Sequence, residues 1–296
     1  MMDNRIGNEL AQLHTGSDYS SPAVGYPVEK MFLGQTMEKI SYLLGIGALT
    51  LILLLCVNFT PLSANPKDFP FAPGEKLEYQ LRWENVPAGS AWLEVLPVKT
   101  INGRQAFHFV MTAASNSFVD IFYKVRDRID AFANVEMTRS VHYAKNQREG
   151  SHEKNEVIKF DWNNNRAHYS NYGKKKDPIS LLDGSFDPLS AFYFTRTIEF
   201  DTGDQLERPI TDGRKNVIGR LKVVGRETIK LLNGRIYDTY LVEPEMNHIG
   251  GVFKESQGAK IQLWVTADEK RIPVRIQSKV VVGHFIGELI SAGGLY

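Results

Sequence analysis

Lys76-Leu-Glu-Tyr-Gln-Leu-Arg-Trp83 is the stretch on which the fold turns. Leu77, Tyr79, Leu81 and Trp83 alternate with Lys76, Glu78, Gln80 and Arg82, the two-residue period of a strand with one apolar and one wet face. Pro73-Gly74 marks a turn before it, and Pro87-Ala-Gly89 turns the chain after it. Ala91, Leu93 and Val95 then alternate with Trp92 and Glu94 in a second strand, closed by Asn102-Gly103. In the third, Ala106, His108, Val110 and Thr112 interleave with Phe107, Phe109 and Met111. That strand is apolar on both faces and belongs in the middle of a sheet or against a cavity.

The same grammar continues outward. Residues 123–131 and 138–145 read as strands, and 156–162 and 166–172 flank the hairpin signal Asn163-Asn-Asn165. Residues 216–230, 236–243, 260–266 and 272–282 complete a meander of about 10–11 strands with no alternating helices. The pattern predicts a mostly β fold, an antiparallel curved sheet or barrel over residues 65–296. One short helix is expected near 187–197, because Asp187-Pro188 supplies an N-cap followed by proline at the first helical position. Leu189, Phe192, Tyr193 and Arg196 recur at helical spacing behind it, as a plug for one end of the sheet or a lid over a ligand.

Composition narrows the function classes. The chain has 296 residues with 35 Lys plus Arg against 34 Asp plus Glu, too balanced for a dedicated nucleic-acid binder. Its 43% hydrophobic content is that of a globular chain. The single cysteine, Cys56, excludes an intrachain disulfide and a thiolate metal cluster.

Ile40–Phe59 carries no charge and is dominated by Leu and Ile. At 1.5 Å per residue it spans roughly 30 Å, the thickness of a bilayer core. Two readings fit residues 37–64: a secretory signal starting at Met37 and cut between Ala64 and Asn65, or an uncleaved anchor crossing the membrane at 40–59. Residues 1–36 have no helical or strand period and read as a disordered tail or a mis-assigned start. Cys56 follows Leu55, where lipoprotein processing needs a small residue, so it is one more apolar residue in the run.

No catalytic signature stands out. None of the seven histidines makes an i, i+4 pair, and His152-Glu153 leads to Glu156 where a metalloprotease helix needs histidine. Asp161-x-Asn163-x-Asn165 imitates a calcium loop but has Arg166 and Tyr172 at its glycine and glutamate positions. Nucleophile-elbow, phosphate-loop and dinucleotide patterns are missing from the sequence. No catalytic residue, metal ligand or cofactor is therefore expected. The Lys174-Lys-Lys176 run reads as a solvated loop tip or a contact for anionic lipid headgroups or polysaccharide.

Three segments together resemble a bacterial family of exported proteins, domain of unknown function 3108. They are Phe71-x-Pro-Gly-Glu-x-Leu-x-Tyr79 with Trp83 and Gly89-x-Ala-x-Leu-x-Val95, then Asp187-Pro-Leu-Ser-Ala-x-Tyr193, then Leu263-Trp-Val-Thr-x-Asp-x-x-Arg-x-Pro-Val274. The resemblance covers residues 69–290 and implies an envelope location and a mostly antiparallel β domain, with no catalytic residues to carry over. The expected fold is also similar to the half-barrel of periplasmic lipoprotein carriers.

The leading expectation is a non-enzymatic protein of the periplasm or the periplasmic face of the inner membrane. It would hold a lipid, a lipoprotein acyl chain or another amphipathic ligand against Phe107, Phe109, Met111, Leu189, Phe192 and Tyr193. The alternatives are an anchored envelope scaffold holding a protein partner, and a hydrolase built on two carboxylates facing one cleft.

Overall fold

The computed structural model describes residues 69–199, 201–245, 260–279 and 284–295. The tail at 1–36, the signal or anchor at 37–64 and the cleavage position Ala64/Asn65 lie outside the described residues. Among the described residues no helix is long and apolar enough to cross a membrane.

The expected antiparallel β fold is present as a 15-stranded sheet. Its strands are β1 (Lys76–Trp83), β2 (Val86–Ile101), β3 (Arg104–Ser115), β4 (Arg126–Asn134), β5 (Ser140–Glu149), β6 (His152–Asp161), β7 (Arg166–Asn171), β8 (Lys174–Lys175) and β9 (Ile179–Ser180), then β10 (Gln205–Thr211), β11 (Asn216–Lys230), β12 (Ile236–Pro244), β13 (Lys260–Thr266), β14 (Pro273–Lys279) and β15 (His284–Gly293). Among the described residues two helices interrupt them, α1 (Ser117–Asp120) and α2 (Pro188–Thr195). The count exceeds the expected 10–11 because β8 and β9 have two residues each, too short to show a period. Pro209 interrupts the pattern of β10, and Gly287 interrupts that of β15.

The sheet runs β10 to β15 in chain order, then joins β15 to β1 and continues to β8. Lys76 faces Gly293 and Trp83 faces Phe285, so the first and last strands are neighbours. The sheet is not closed strand to strand: β10 borders one edge, β8 and β9 the other. Ser185 and Phe186 instead tie β10 to the start of β5. The Ser140 N–H donates to the Ser185 carbonyl at 3.1 Å, Phe186 N–H to Pro209 O at 3.0 Å and Thr211 N–H to Phe186 O at 2.9 Å.

α2 plugs one end of this curved sheet. The Asp187 carboxylate caps it by accepting from Leu189 and Ser190 N–H at 3.0 and 2.9 Å, as Asp-Pro predicts. Pro188 to Tyr193 are all buried, so the helix is enclosed on every side instead of presenting one face. Arg196, at its C-terminal cap, reaches back to the segment before β1. Its guanidinium makes a bidentate pair with Glu75 at 2.5 and 2.9 Å and donates to the Lys270 and Pro70 carbonyls at about 3 Å. Both charged side chains are only 1% exposed.

The three family-like segments thus have structural work. Gly74 takes φ +103°, which leads into Glu75. A Cβ on Gly89 would sit 2.1 Å from the Ala114 carbonyl, so only glycine permits β2 and β3 to approach there. In Trp264-Val-Thr-x-Asp268, Thr266 Oγ1 donates to Asp268 at 2.7 Å and accepts from Ile272 N–H at 2.8 Å. Asp268 in turn accepts from the N–H groups of Lys270 and Arg271. The motif fastens the β13–β14 turn.

Candidate functional site: an apolar cavity at the end away from the plug

The inward residues of β1 to β4 and β15, with those of the plug, divide the interior into two zones. Towards the plug they are large. Phe71, Phe107, Phe109 and Tyr193 form an aromatic cluster, with Phe109 stacked on Tyr193 at 4.0 Å and Phe71 edge-on to both. Towards the far end they shrink to Ala91, Ala113 and Gly287, beside Ala88. Small side chains on an inner face leave volume that a core would otherwise fill.

That volume is an apolar cavity of ≈ 90 Å³. Tyr79, Leu93, Met111 and Phe192 form its floor towards the plug, and Val119, Val125, Ile276 and Phe285 stand nearer its mouth. The only polar side chains among its lining residues are those of Tyr79, Ser115 and Ser278. Tyr79 Oη is already committed, donating to the Pro273 carbonyl at 2.7 Å. The rest of the lining is aliphatic or aromatic carbon.

Of the six residues singled out from the sequence, Met111 and Phe192 line the cavity. Phe107, Phe109, Leu189 and Tyr193 pack together in the buried core behind it. The wall contributed by β14, β15 and α1 carried no legible signal. Ala88, Ala91 and Ala113 are small residues, and only the register that sets Ala91 opposite Ala113 makes them a wall.

A polar corner lies beside the cavity. Asp127, directly across from Ala113, points inward on β4, and Gln147 and Glu149 point inward on β5. Asp127 Oδ1 accepts from the Arg148 N–H at 2.9 Å. Burial first, then the negative charge of Glu149, pushes the Asp127 carboxyl up to about 8 from its ordinary 3.8. Further along, Lys145 pairs with Glu156 at 2.7 Å, and Tyr169 Oη donates to the same carboxylate at 2.7 Å. Neither Asp127 nor Glu149 lines the cavity, so this pair does not make the two-sided cleft that the hydrolase reading requires.

A raised native pKa means that the folded protein holds a proton the unfolded chain has released. The stability contributed by protonated Asp127 is complete below about pH 4 and is lost as pH rises towards about 8. Asp127→Asn is therefore expected to flatten the pH dependence of the melting temperature over that window. It should raise the melting temperature at pH 8 by several degrees while changing it little near pH 4. An unchanged slope in thermal melts across that range would contradict the assignment.

Among the described residues no group of three or more His, Cys, Asp or Glu side chains is placed to hold a metal ion. Asp161 serves as a turn anchor, accepting from the N–H groups of Asn163 and Asn164. His152 and His168 do not meet in any such group.

A β-barrel-like protein of domain of unknown function DUF1849 from Brucella abortus is similar in structure, with a TM-score of 0.47 and 8% identity, over 74% of this chain and 97% of that one. No curated protein matches in sequence. The family described as "Protein of unknown function (DUF3108)" matches residues 78–290, most of the strands and the whole of the plug. The chain belongs to that family.

Proposed function

We propose that this protein is a non-enzymatic binder of an apolar chain, a lipid or lipoprotein acyl group, working in the bacterial periplasm. The observation that carries the reading is the cavity itself: an apolar space at the unplugged end, lined almost entirely by carbon. Export is supported by the uncharged run Ile40–Phe59. A hydrocarbon chain filling the space would regain the contacts that Ala91, Ala113 and Gly287 forgo.

Native mass spectrometry of the full chain, purified from its host membranes and periplasm, tests this reading. The wild type should carry an amphiphile. Ala91→Leu with Ala113→Leu places branched side chains in the cavity and is expected to reduce occupancy about tenfold, equivalent to ~1.4 kcal/mol of lost binding. The variant should melt near the wild-type temperature, because the added methyl groups enter empty space. Equal lipid content in both proteins, or none in the wild type, would remove the proposal.

A further inference from the structure

The loop between β3 and β4 holds large apolar side chains out in water and is braced to do so. Phe118 is 59% exposed, Ile121 73% and Phe122 57%, with Val86, the first residue of β2 after the β1–β2 turn, at 44%. The two phenyl rings meet edge-on at 5.8 Å. Asn116 fastens this knob to the neighbouring turn: its Oδ1 caps α1 through Val119 N–H at 2.9 Å and its Nδ2 donates to Pro87 O at 2.7 Å. Ser115 Oγ donates to Asp120 at 2.5 Å, and Arg126 pairs with the same carboxylate at 2.6 Å. A loop free to relax would fold such residues inward. This one is fixed so that they stay outside, the pattern of a surface made to contact something apolar.

We propose that this knob, Phe118, Ile121 and Phe122 with Val86, docks the open end of the sheet on a phospholipid bilayer, so that the cavity exchanges its ligand directly with the membrane. The inference rests on the reading of the cavity as an apolar-ligand site and names where that ligand is exchanged. Three observations select a bilayer as the occupant. Val119, on the same short helix, lines the cavity, so the knob is continuous with the mouth a hydrocarbon chain must cross. The knob exposes on the order of 400 Å² of apolar side chain, about half of what each partner buries in a stable protein pair. Finally, Lys124 is exposed at its base and Arg126 lies beside it, at the level headgroup phosphates occupy when aromatic side chains sit in the interface.

Labelling the full chain with an environment-sensitive fluorophore tests the contact independently of residues 40–59. With Cys56→Ser removing the native thiol, a label on Phe122→Cys is compared with one on Asn164→Cys, in the β6–β7 turn at the opposite end of those strands. In vesicles containing phosphatidylglycerol, emission from position 122 should shift to the blue, brighten severalfold and be quenched by brominated lipid. Position 164 should do none of these. Ile121→Asp should abolish the response at 122, while native mass spectrometry still finds the cavity loaded.

An unchanged signal at 122, or the same change at both positions, would overturn the docking surface. A shift without lipid that grows with protein concentration would assign the knob to a second copy and equally overturn it. A response at 122 in a protein that carries no amphiphile would leave the knob standing and sink the cavity reading instead.

Discussion

Replacing Arg196 by alanine is expected to lower the unfolding free energy by about 3–5 kcal/mol, because the Glu75 carboxylate is then left buried without its cation. Burial opposes the charge on Arg196, yet the hydrogen bonds and the charge of Glu75 outweigh it and hold the guanidinium's pKa above its ordinary value. The same guanidinium satisfies the carbonyls of Pro70 and Lys270, so the segment before β1 and the β13–β14 turn both lose a partner at once. For a domain of this size the melting temperature should fall by roughly 10 °C. Glu75→Ala should cost a similar amount, by stranding the cation. The double variant Glu75→Leu with Arg196→Met should cost clearly less than the two alanine variants summed, since no charge remains buried. Urea unfolding of the four proteins reads this directly, and additive losses would contradict the mutual-burial account.

Phe109→Ala should be nearly as damaging, costing about 3–5 kcal/mol through lost burial and the hole left behind. Phe109 is fully buried and stacks on Tyr193, which joins the sheet to α2. The ring also meets Phe71 edge-on at 5.3 Å, so its loss loosens the plug and the segment leading to Glu75. Met111, two residues on, lines the cavity, where neighbouring space already exists. Met111→Ala enlarges that cavity and should change ligand occupancy more than Phe109→Ala, relative to the stability each loses. Thermal melts paired with native mass spectrometry separate the two effects. Equal ratios for both variants would show that one undivided core, not a floor and a cavity, occupies the interior.

The regular parts of the fold were legible because they repeat. Leu77, Tyr79 and Leu81 declare a strand without reference to anything distant, and Asn163-Asn-Asn165 declares its turn through side-chain bonds within three residues. β8 and β9 were not legible, since a two-residue strand exists only by pairing with β7. The knob was missed for a related reason. Residues 123–131 carry a strand pattern, and Asn116 as a helix cap is visible only with the α1 turn in place. The candidate ligand residues divided because period two places Phe107, Phe109 and Met111 on one face of β3 without saying what lies opposite each. Tyr193 faces Phe109, whereas space faces Met111.

The sequence by itself determined that the chain is a β meander with one capped helix, and that a twenty-residue apolar run precedes it. Those features depend on local periodicity, on proline and glycine chemistry, and on the absence of charge, all written within a few residues. Only the tertiary structure decided that β15 returns to β1, that α2 is buried on all sides, and that Glu75 meets Arg196 across 121 positions of chain. It also decided that three small residues on separate strands converge on one space. Convergence of that kind is set by register and curvature, which arise from the summed packing of many strands and from no single stretch of residues.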